Sequence, residues 1–337
     1  MVAAVDDRER GVLVSLDSNP LRIAVASGKG GTGKTTIATS LALSMVRDGG
    51  DQRFASKPTV LDCDVEGPNA HLFLYSQGGP GRSEPVFAYR QDVSILIPRV
   101  DAEKCTLCGR CAEVCQYHAI LVMGKRTLVF PELCHGCGSC TLVCPEGAIT
   151  EHPHVIGKLE GGKAIDDIHF AQGVLNIGEP MAVPAIRQLK RWGLEIDVDE
   201  RKDAGDLKVV ILDAPPGASC PVVETVRGAD YLLLVTEPTP FGLHDLRLAA
   251  GVAEELGVPA GVIINRDGIG DTSRPGQTSA VDEFCASAGL PILLRIPFDR
   301  AIAEGIARGR PLVEIRPEYL PQFRNMSEEI AARVQRA

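Results

Sequence analysis

Residues 28–36 read GKGGTGKTT and follow a short apolar run, LRIAVAS, at residues 21–27. The glycines, lysine and threonine have the Walker A spacing, and the loop stands between a predicted strand and a predicted helix, as that pattern requires. Glycines at these positions let backbone N–H groups close around phosphate oxygens. The stretch therefore predicts a nucleotide-phosphate site and a strand that leads through a glycine loop into a helix.

The residues predicted to bind nucleotide in this loop are Gly28, Gly30, Gly31, Thr32, Gly33, Lys34, Thr35 and Thr36. Within the loop, Lys34 is expected to reach the β- and γ-phosphates, and the Thr35 hydroxyl is expected to ligate Mg²⁺. Apolar residues four positions apart, at Ile37, Leu41 and Met45, predict the helix that follows.

Beyond the loop, apolar β-branched runs alternate with amphipathic segments. Strands are predicted at 59–62, 93–98, 208–213, 231–236, 261–265 and 292–296, and helices at 182–192, 243–256, 281–288 and 300–308. This alternation predicts an α/β fold with a doubly wound, mostly parallel sheet. Residues 1–20 are interpreted as an extension, residues 77–90 and 266–279 as loops, and residues 153–177 as a glycine-containing connection with a hairpin.

Composition and charge narrow the possible functions. The chain has 337 residues, 45% of them hydrophobic, a net charge of −9 and a pI of about 5.4. An acidic chain of this kind is not expected to bind nucleic acid or an anionic membrane. The first residues, MVAAVDDRERGVLV, lack the basic start and apolar run of a secretory signal. We therefore expect a cytoplasmic protein.

Eight of the eleven cysteines fall between residues 105 and 144, in two runs with the same internal spacing. The first run is Cys-x2-Cys-x2-Cys-x3-Cys, and the second repeats this pattern and ends in Cys-Pro. Paired cysteines of this separation also suit structural zinc, but zinc takes four ligands and would not explain two complete runs. Metal or cluster ligation is a better explanation than disulfides in a chain without a secretory signal.

The spacing resembles that of bacterial two-cluster ferredoxins, in which the fourth cysteine of each run serves the other cluster. The resemblance implies one [4Fe–4S] cluster held by Cys105, Cys108, Cys111 and Cys144, and another held by Cys134, Cys137, Cys140 and Cys115. One departure is Gln116, which follows Cys115 where a second proline would be usual. We call residues 99–152 the cysteine module and interpret them as an insert between two parts of a P-loop ATPase, residues 1–98 and 153–337.

A second resemblance concerns Lys29, a position with no function in the ordinary Walker A motif. The stretch KGGTGKT resembles the deviant Walker A loop of the ATPase class that contains MinD, Mrp and the nitrogenase iron protein. In that class the early lysine crosses a dimer interface to the partner's nucleotide. The resemblance implies a homodimer with nucleotide at its interface and a catalytic role for Lys29 in trans.

Two further segments resemble the switch regions of that class. In LDCDVEGPNAHLFL (61–74), the resemblance implies that Asp64 positions the attacking water and that Asp62 lies nearer the metal. In LDAPPG (212–217), it implies that Asp213 holds Mg²⁺ through water and that Gly217 turns its N–H toward the γ-phosphate. Asn265 matches the position from which relatives contact adenine, and the absence of an N-K-x-D pattern favours ATP over GTP.

The whole chain thus resembles MinD-superfamily ATPases with an inserted ferredoxin domain. The first functional hypothesis is an ATPase whose nucleotide state gates electron transfer through two clusters to a redox partner or a metallocofactor client. The second is an iron–sulfur or metal carrier of the Mrp type, for which Cys220, seven residues after Asp213, is a candidate docking ligand. The third, a MinD-type membrane-positioning ATPase, needs a basic amphipathic tail, whereas the C-terminal turns MSEEIAARVQRA carry balanced charge.

Overall fold

The computed structural model describes residues 20–47, 57–75, 87–195, 208–269 and 279–334. The strands are β1 (Leu21–Ala26), β2 (Thr59–Asp62), β3 (Tyr89–Val100), β4 (Ile120–Met123), β5 (Arg126–Val129), β6 (Ile149–Lys163), β7 (His169–Leu175), β8 (Val209–Asp213), β9 (Tyr231–Thr236), β10 (Ala260–Asp267) and β11 (Ile292–Pro297). The helices are α1 (Lys34–Val46), α2 (His71–Leu74), α3 (Arg110–Val114), α4 (Ser139–Val143), α5 (Ala182–Glu195), α6 (Cys220–Val226), α7 (Pro240–Leu256), α8 (Ala280–Ser287), α9 (Arg300–Ala307), α10 (Leu312–Ile315) and α11 (Tyr319–Val334).

Nine of the described strands form one sheet, in the order β11-β10-β9-β1-β8-β2-β7-β6-β3. Neighbours from β11 to β7 are parallel, and the pairs β7–β6 and β6–β3 are antiparallel. The predicted mostly parallel α/β fold is therefore confirmed. Because the carboxyl ends of parallel strands share one edge of the sheet, the loops after β1, β2, β8, β9 and β10 meet there.

Helices cover both faces of the sheet, and alternate residues of β1 pack into the two resulting cores. Ile23 and Val25 face the core formed with α1 and α11, whereas Ala24 and Ala26 face the core on the side of α5 and α7. The predicted apolar face of α1 is buried in the first of these cores. Burial on both faces explains why the central strands are almost continuously apolar.

The hairpin predicted at 153–177 is present, but the antiparallel edge is more extensive than predicted. Residues 89–90, predicted as loop, already belong to β3, and the predicted hairpin at 153–177 consists of two full strands of the main sheet. The glycines that suggested a connection allow close strand approach instead: a Cβ at Gly157 would lie 2.4 Å from the Val174 carbonyl oxygen, and one at Gly161 would lie 2.7 Å from that of Phe170.

The paired strands β3 and β6, here called the stalk, carry the cysteine module. Residues 101–148 lie between the two strands and contain the β4–β5 hairpin and the short helices α3 and α4. The predicted module boundaries, 99 and 152, fall inside β3 and β6, so the module is continuous with the main sheet. Residues 1–19, 76–86 and 270–278, which include parts of three predicted irregular segments, lie outside the described residues.

The apolar stripe of the C-terminal helix packs inside the molecule. Met326 and Ile330 of α11 are buried against the core that contains α1. None of the described helices has the length and hydropathy of a membrane span. The burial of Met326 and Ile330 explains the apolar positions of this helix by internal packing.

Candidate nucleotide site and cysteine pockets

The loop between β1 and α1 has the conformation that its glycines permit. Gly31 and Gly33 have φ of 79° and 100°, in the left-handed region that favours glycine. The Ser27 hydroxyl donates to the Lys29 carbonyl at 2.6 Å, and the Ile37 N–H donates to the Gly33 carbonyl at 3.0 Å, which closes the first turn of α1. The loop is thus folded around the N-terminus of α1, where anions are stabilised.

Lys34 lies among three carboxylates at the carboxyl edge of the sheet. Its side chain is largely buried, and burial lowers the pKa of its ammonium, while Asp213, Asp64 and Asp62 act in the opposite direction. The structure therefore brings together, around the predicted phosphate site, residues that the sequence places almost 180 positions apart.

Asp213, at the end of β8, is a buried carboxylate that lacks a partner. It is 1% exposed, and neither carboxylate oxygen accepts a hydrogen bond from the described residues. Burial raises the pKa of Asp213 well above its ordinary value and the Asp62 charge adds to this rise, whereas Thr35 and Lys34 oppose it. Leaving such a group unpaired is costly, so the Asp213 carboxylate beside the Thr35 hydroxyl fits a hydrated Mg²⁺ ion.

Asp62, at the end of β2, accepts hydrogen bonds from the following loop. Its Oδ1 accepts from the Asp64 N–H at 3.1 Å, and its Oδ2 accepts from the N–H groups of Asn69 and Ala70 at 2.8 and 2.9 Å. Burial raises the pKa of Asp62 to about 6 although these bonds lower it. Asp62 thus shapes the loop that presents Asp64 to the cavity, where burial raises the pKa of Asp64 and Lys34 lowers it.

Lys29 is paired within its own chain with Glu237, a residue that the sequence did not single out. Its Nζ lies 3.2 Å from Glu237 Oε2, and Arg266 Nη1 lies 2.5 Å from Glu237 Oε1. The Glu237 side chain is 7% exposed, whereas that of Lys29 is 37% exposed. In the sequence, Glu237 is marked only by its position directly after the apolar run of β9.

An open cavity extends from the phosphate loop to the ends of β10 and β11. Asn265, Arg266 and residues 297–299 also line it, and the sequence did not single out the last of these segments. The Asn265 Nδ2 group donates to the Thr32 carbonyl at 2.7 Å, so its amide ties β10 to the phosphate loop. Contact between Asn265 and a bound adenine remains a prediction.

Gly217 and Cys220 lie between β8 and α6. Gly217 has φ of 100°, and its N–H donates to the Ser27 carbonyl at 2.9 Å instead of pointing freely into the cavity. Cys220 is the first residue of α6 and is exposed. The structure therefore keeps Cys220 accessible near the nucleotide loop and outside both cysteine pockets described below.

The two cysteine runs share one backbone conformation. Positive φ angles recur at matching positions: Leu107 and Gly136, Gly109 and Gly138, His118 and Gly147. The Ala119 N–H donates to Cys115 Sγ and the Ala148 N–H donates to Cys144 Sγ, both at 3.3 Å. The turn at Gln116 in the first run therefore matches the turn at Pro145 in the second.

The eight cysteines line two separate cavities, four to each. Cys105, Cys108, Cys111 and Cys144 line one cavity. Cys115, Cys134, Cys137 and Cys140 line the other, beside the stacked rings of Tyr117 and His135. Each cavity thus takes three cysteines from one run and the fourth from the other, which is the grouping that the ferredoxin resemblance implies.

The cysteines of each cavity do not form a site for one small ion. Within the described residues, no three His, Cys, Asp or Glu side chains are grouped closely enough to hold a metal ion. A zinc ion with Zn–S bonds of about 2.3 Å needs its sulfurs about 3.8 Å apart. Burial raises the pKa of Cys111, Cys134 and Cys140. Four cysteines that line one cavity without the spacing of a single-ion site fit a larger thiolate-bound group.

Gly28→Ala should destabilise the fold, because a Cβ at Gly28 would lie 2.3 Å from the backbone carbonyl oxygen of Asp245 in α7. We expect a loss of about 1–3 kcal/mol in the free energy of unfolding, measured by urea titration with the fluorescence of Trp192. Gly30→Ala is the matched control, since nothing lies within 4 Å of a Cβ there, and its effect should stay within about 0.5 kcal/mol. Equal effects would contradict the close packing of the loop on α7.

These features define a class: an α/β protein with a phosphate-binding loop and acidic residues at the neighbouring strand ends. The model of the family described as the CobQ/CobB/MinD/ParA nucleotide binding domain matches residues 23–312. The chain belongs to this family.

Three individual similarities accompany the family match. An uncharacterised protein of Methanocaldococcus jannaschii is 29% identical over 314 residues, which cover 93% of this chain and 97% of that protein. The cytosolic Fe-S cluster assembly factor Nubp1 homolog of Drosophila sechellia is 24% identical over 324 residues, covering 90% and 79% of the two chains. The MinC:MinD cell division protein complex of Aquifex aeolicus has a TM-score of 0.53 at 16% identity, covering 93% and 96%, and shows the fold alone.

Proposed function

We propose that this chain hydrolyses ATP as a homodimer and that its nucleotide state gates electron transfer through two [4Fe–4S] clusters. Electron transfer would support a partner reductase or the assembly of a metallocofactor. The observation that carries the proposal is the division of eight cysteines into two pockets of four. The strands that carry the cysteine module, β3 and β6, are continuous with the sheet that forms the nucleotide site.

For hydrolysis, each residue has a role consistent with its position. Lys34 binds the transferred phosphate, and Thr35 with Asp213 holds Mg²⁺, which neutralises phosphate charge when bound. Asp64 lines the same cavity and orients the attacking water, and its raised pKa brings it closer to the range useful for accepting a proton. Lys29 leaves Glu237 when the dimer closes and contacts the partner's nucleotide. Family membership supports nucleotide hydrolysis in general.

For electron transfer, the proposed ligands are the two pocket sets. Cys105, Cys108, Cys111 and Cys144 hold one cluster, and Cys115, Cys134, Cys137 and Cys140 hold the other. Bound clusters supply one-electron transfer. N–H groups directed at Sγ atoms, such as those of Ala119 and Ala148, stabilise the thiolate charge.

A second function, iron–sulfur or metal delivery of the Mrp type, is favoured by two observations. One is similarity to a protein named as a cytosolic Fe-S cluster assembly factor. The other is the exposed Cys220 at the start of α6, which could dock a metal or a cluster in transit. Against delivery of the module's own clusters, eight committed cysteines suit stable ligation better than release.

The test is to purify the chain anaerobically and to record its iron content, electron paramagnetic resonance spectra and cluster potentials without nucleotide, with Mg·ADP and with a non-hydrolysable Mg·ATP analogue. We expect about eight irons per chain and spectra or potentials that differ between ADP and ATP states. Cluster properties that are identical in all three states would overturn the gating proposal. About one zinc per run instead of iron would overturn the redox assignment.

A further inference from the structure

The stalk bends at a β-bulge where it leaves the main sheet. Val93 pairs with Gly157, but Ser94 pairs with Val155, so Ile156 has no partner residue in β3. A bulge interrupts the ladder, bends the strand pair and leaves backbone groups to be satisfied from elsewhere. The bulge is therefore the place where the direction of the stalk is set.

Side chains of α5 and the loop before it bind the backbone at this bulge. Gln188 Nε2 donates to the Ser94 carbonyl at 3.0 Å. Asn176 donates twice, through Nδ2 to the Val155 carbonyl at 3.1 Å and through its backbone N–H to the Ile156 carbonyl at 2.9 Å. The backbone at the bulge is thus held by α5 through Gln188 and by the end of β7 through Asn176.

On the side of the bulge toward the main sheet, β6 is fixed by buried polar contacts. Gln172 of β7 donates to Glu160 of β6 at 3.2 Å and also contacts His71 Nδ1 at 3.0 Å, and both Gln172 and Glu160 are 4% exposed. On the module side, residues 150–153 are exposed, whereas His154 is partly buried and its Nε2 lies 3.0 Å from Glu179 Oε1 in the loop before α5. A force on the stalk would therefore bend it at the bulge rather than displace the anchored part.

On another side, α5 contacts α6, the helix that follows the loop after Asp213. Arg187 pairs with Glu224 through two hydrogen bonds of 3.2 and 3.0 Å. Lys190 Nζ donates to the carbonyls of Glu224, Thr225 and Arg227, at 2.7, 3.1 and 2.7 Å. These carbonyls end α6, so Lys190 caps it and the two helices are linked to move together.

The connection reaches the nucleotide through Gly217. Its N–H is bonded to the Ser27 carbonyl, and α6 begins three residues later. Turning this N–H to a γ-phosphate requires that bond to break, which displaces the start of α6. A displacement of α6 pulls on Arg187 and Lys190 and hence on α5.

We propose that α5 transmits the nucleotide state to the stalk. The positioning residues are Arg187, which contacts α6, and Gln188, which contacts the stalk. The inference rests on the proposed coupling of nucleotide to clusters, and it names the path of that coupling. In this path the bulge is the hinge, and the cysteine module changes its orientation when α6 moves.

Hydrogen exchange of the cluster-loaded chain tests the path without relying on activity. In the unmodified protein, the non-hydrolysable Mg·ATP analogue should change exchange at residues 94–100 and 149–156 by at least about threefold. Gln188→Leu should abolish this stalk response while protection of the phosphate loop by nucleotide persists. Gln322→Leu, which removes a similar side-chain bond to the Glu318 carbonyl on α11, is the control and should keep the response.

Arg187→Ala provides an independent variant, with Arg333→Ala as its control, because Arg333 makes a similar pair with Glu329 away from the stalk. We expect Arg187→Ala to lose the stalk response and the nucleotide dependence of cluster spectra, with iron content unchanged. If Arg187→Ala and Gln188→Leu both keep the wild-type response, α5 is not the path, although the gating proposal stands. If wild-type clusters and stalk ignore nucleotide, both proposals fail together.

Discussion

Replacing Lys34 with alanine should lower ATP turnover by roughly 10²–10³-fold or more while iron content stays at about eight atoms per chain. The buried Lys34 ammonium interacts with the carboxylates of Asp213, Asp64 and Asp62, and phosphate transfer depends on positive charge placed where negative charge develops. Phosphate release gives the turnover, and iron analysis with the visible spectrum shows that the module is intact. Lys125→Ala, at an exposed site in the cysteine module, is the control with unchanged turnover.

The same variant tests whether Lys29 acts in trans. Lys29→Ala and Lys34→Ala subunits should each be nearly inactive alone. In a mixed dimer, the Lys29→Ala subunit keeps its own Lys34, and the Lys34→Ala partner supplies Lys29, so one site is complete. Mixing should therefore restore part of the turnover, up to about a quarter of wild type for random pairing with one active site in half of the dimers. Turnover that does not rise on mixing would place Lys29 in its own subunit's site, beside Glu237.

Much of the nucleotide site could be predicted because its signals are local. A glycine loop between an apolar run and an amphipathic segment defines β1, the loop and α1, and apolar runs define β2, β8 and β9 to within a residue. Parallel strands then bring Asp62 and Asp213 to the same edge without further information. The fold class followed from the same alternation.

The missed features depend on contacts between distant segments. Glu237 has no distinguishing neighbours in sequence, since its two cations come from residues 29 and 266. The antiparallel edge was obscured because Gly157 and Gly161 indicate a turn locally, whereas in the fold they admit β7. The role of Asp62 in shaping its loop also depends on the hydrogen bonds that its carboxylate accepts from the N–H groups of Asn69 and Ala70, seven and eight residues later.

The cysteine spacing predicts ligands but not, by itself, which fourth cysteine completes each set. The crossed grouping came from resemblance, and the two cavities agree with it because the backbone of one run folds over the other. Packing of the loop between Cys134 and Cys137 against the stalk, as at Gly136 beside Leu96, requires the tertiary structure.

Paired cysteine substitutions should distinguish crossed from uncrossed ligation by iron content. Cys108→Ala with Cys144→Ala removes two ligands of one pocket, so about four irons should remain in the other cluster. Cys137→Ala with Cys144→Ala removes one ligand from each pocket, so both clusters are weakened and iron should fall toward zero. Both double variants remove two cysteines, including Cys144, and they differ only in whether Cys108 or Cys137 is the other. Cys108 and Cys137 are both exposed, so the two variants are matched.

Uncrossed ligation predicts the opposite order, because Cys137 and Cys144 would then share a cluster while Cys108 would belong to the other. The order is informative even if a cluster that has lost one ligand keeps some iron, since only the ranking of the two double variants decides. Cys220→Ala is the control for cysteine loss, because Cys220 lies outside both pockets, and it should retain about eight irons. Retention of more iron by the Cys137→Ala/Cys144→Ala variant than by the Cys108→Ala/Cys144→Ala variant would refute the crossed assignment of ligands to the two proposed clusters.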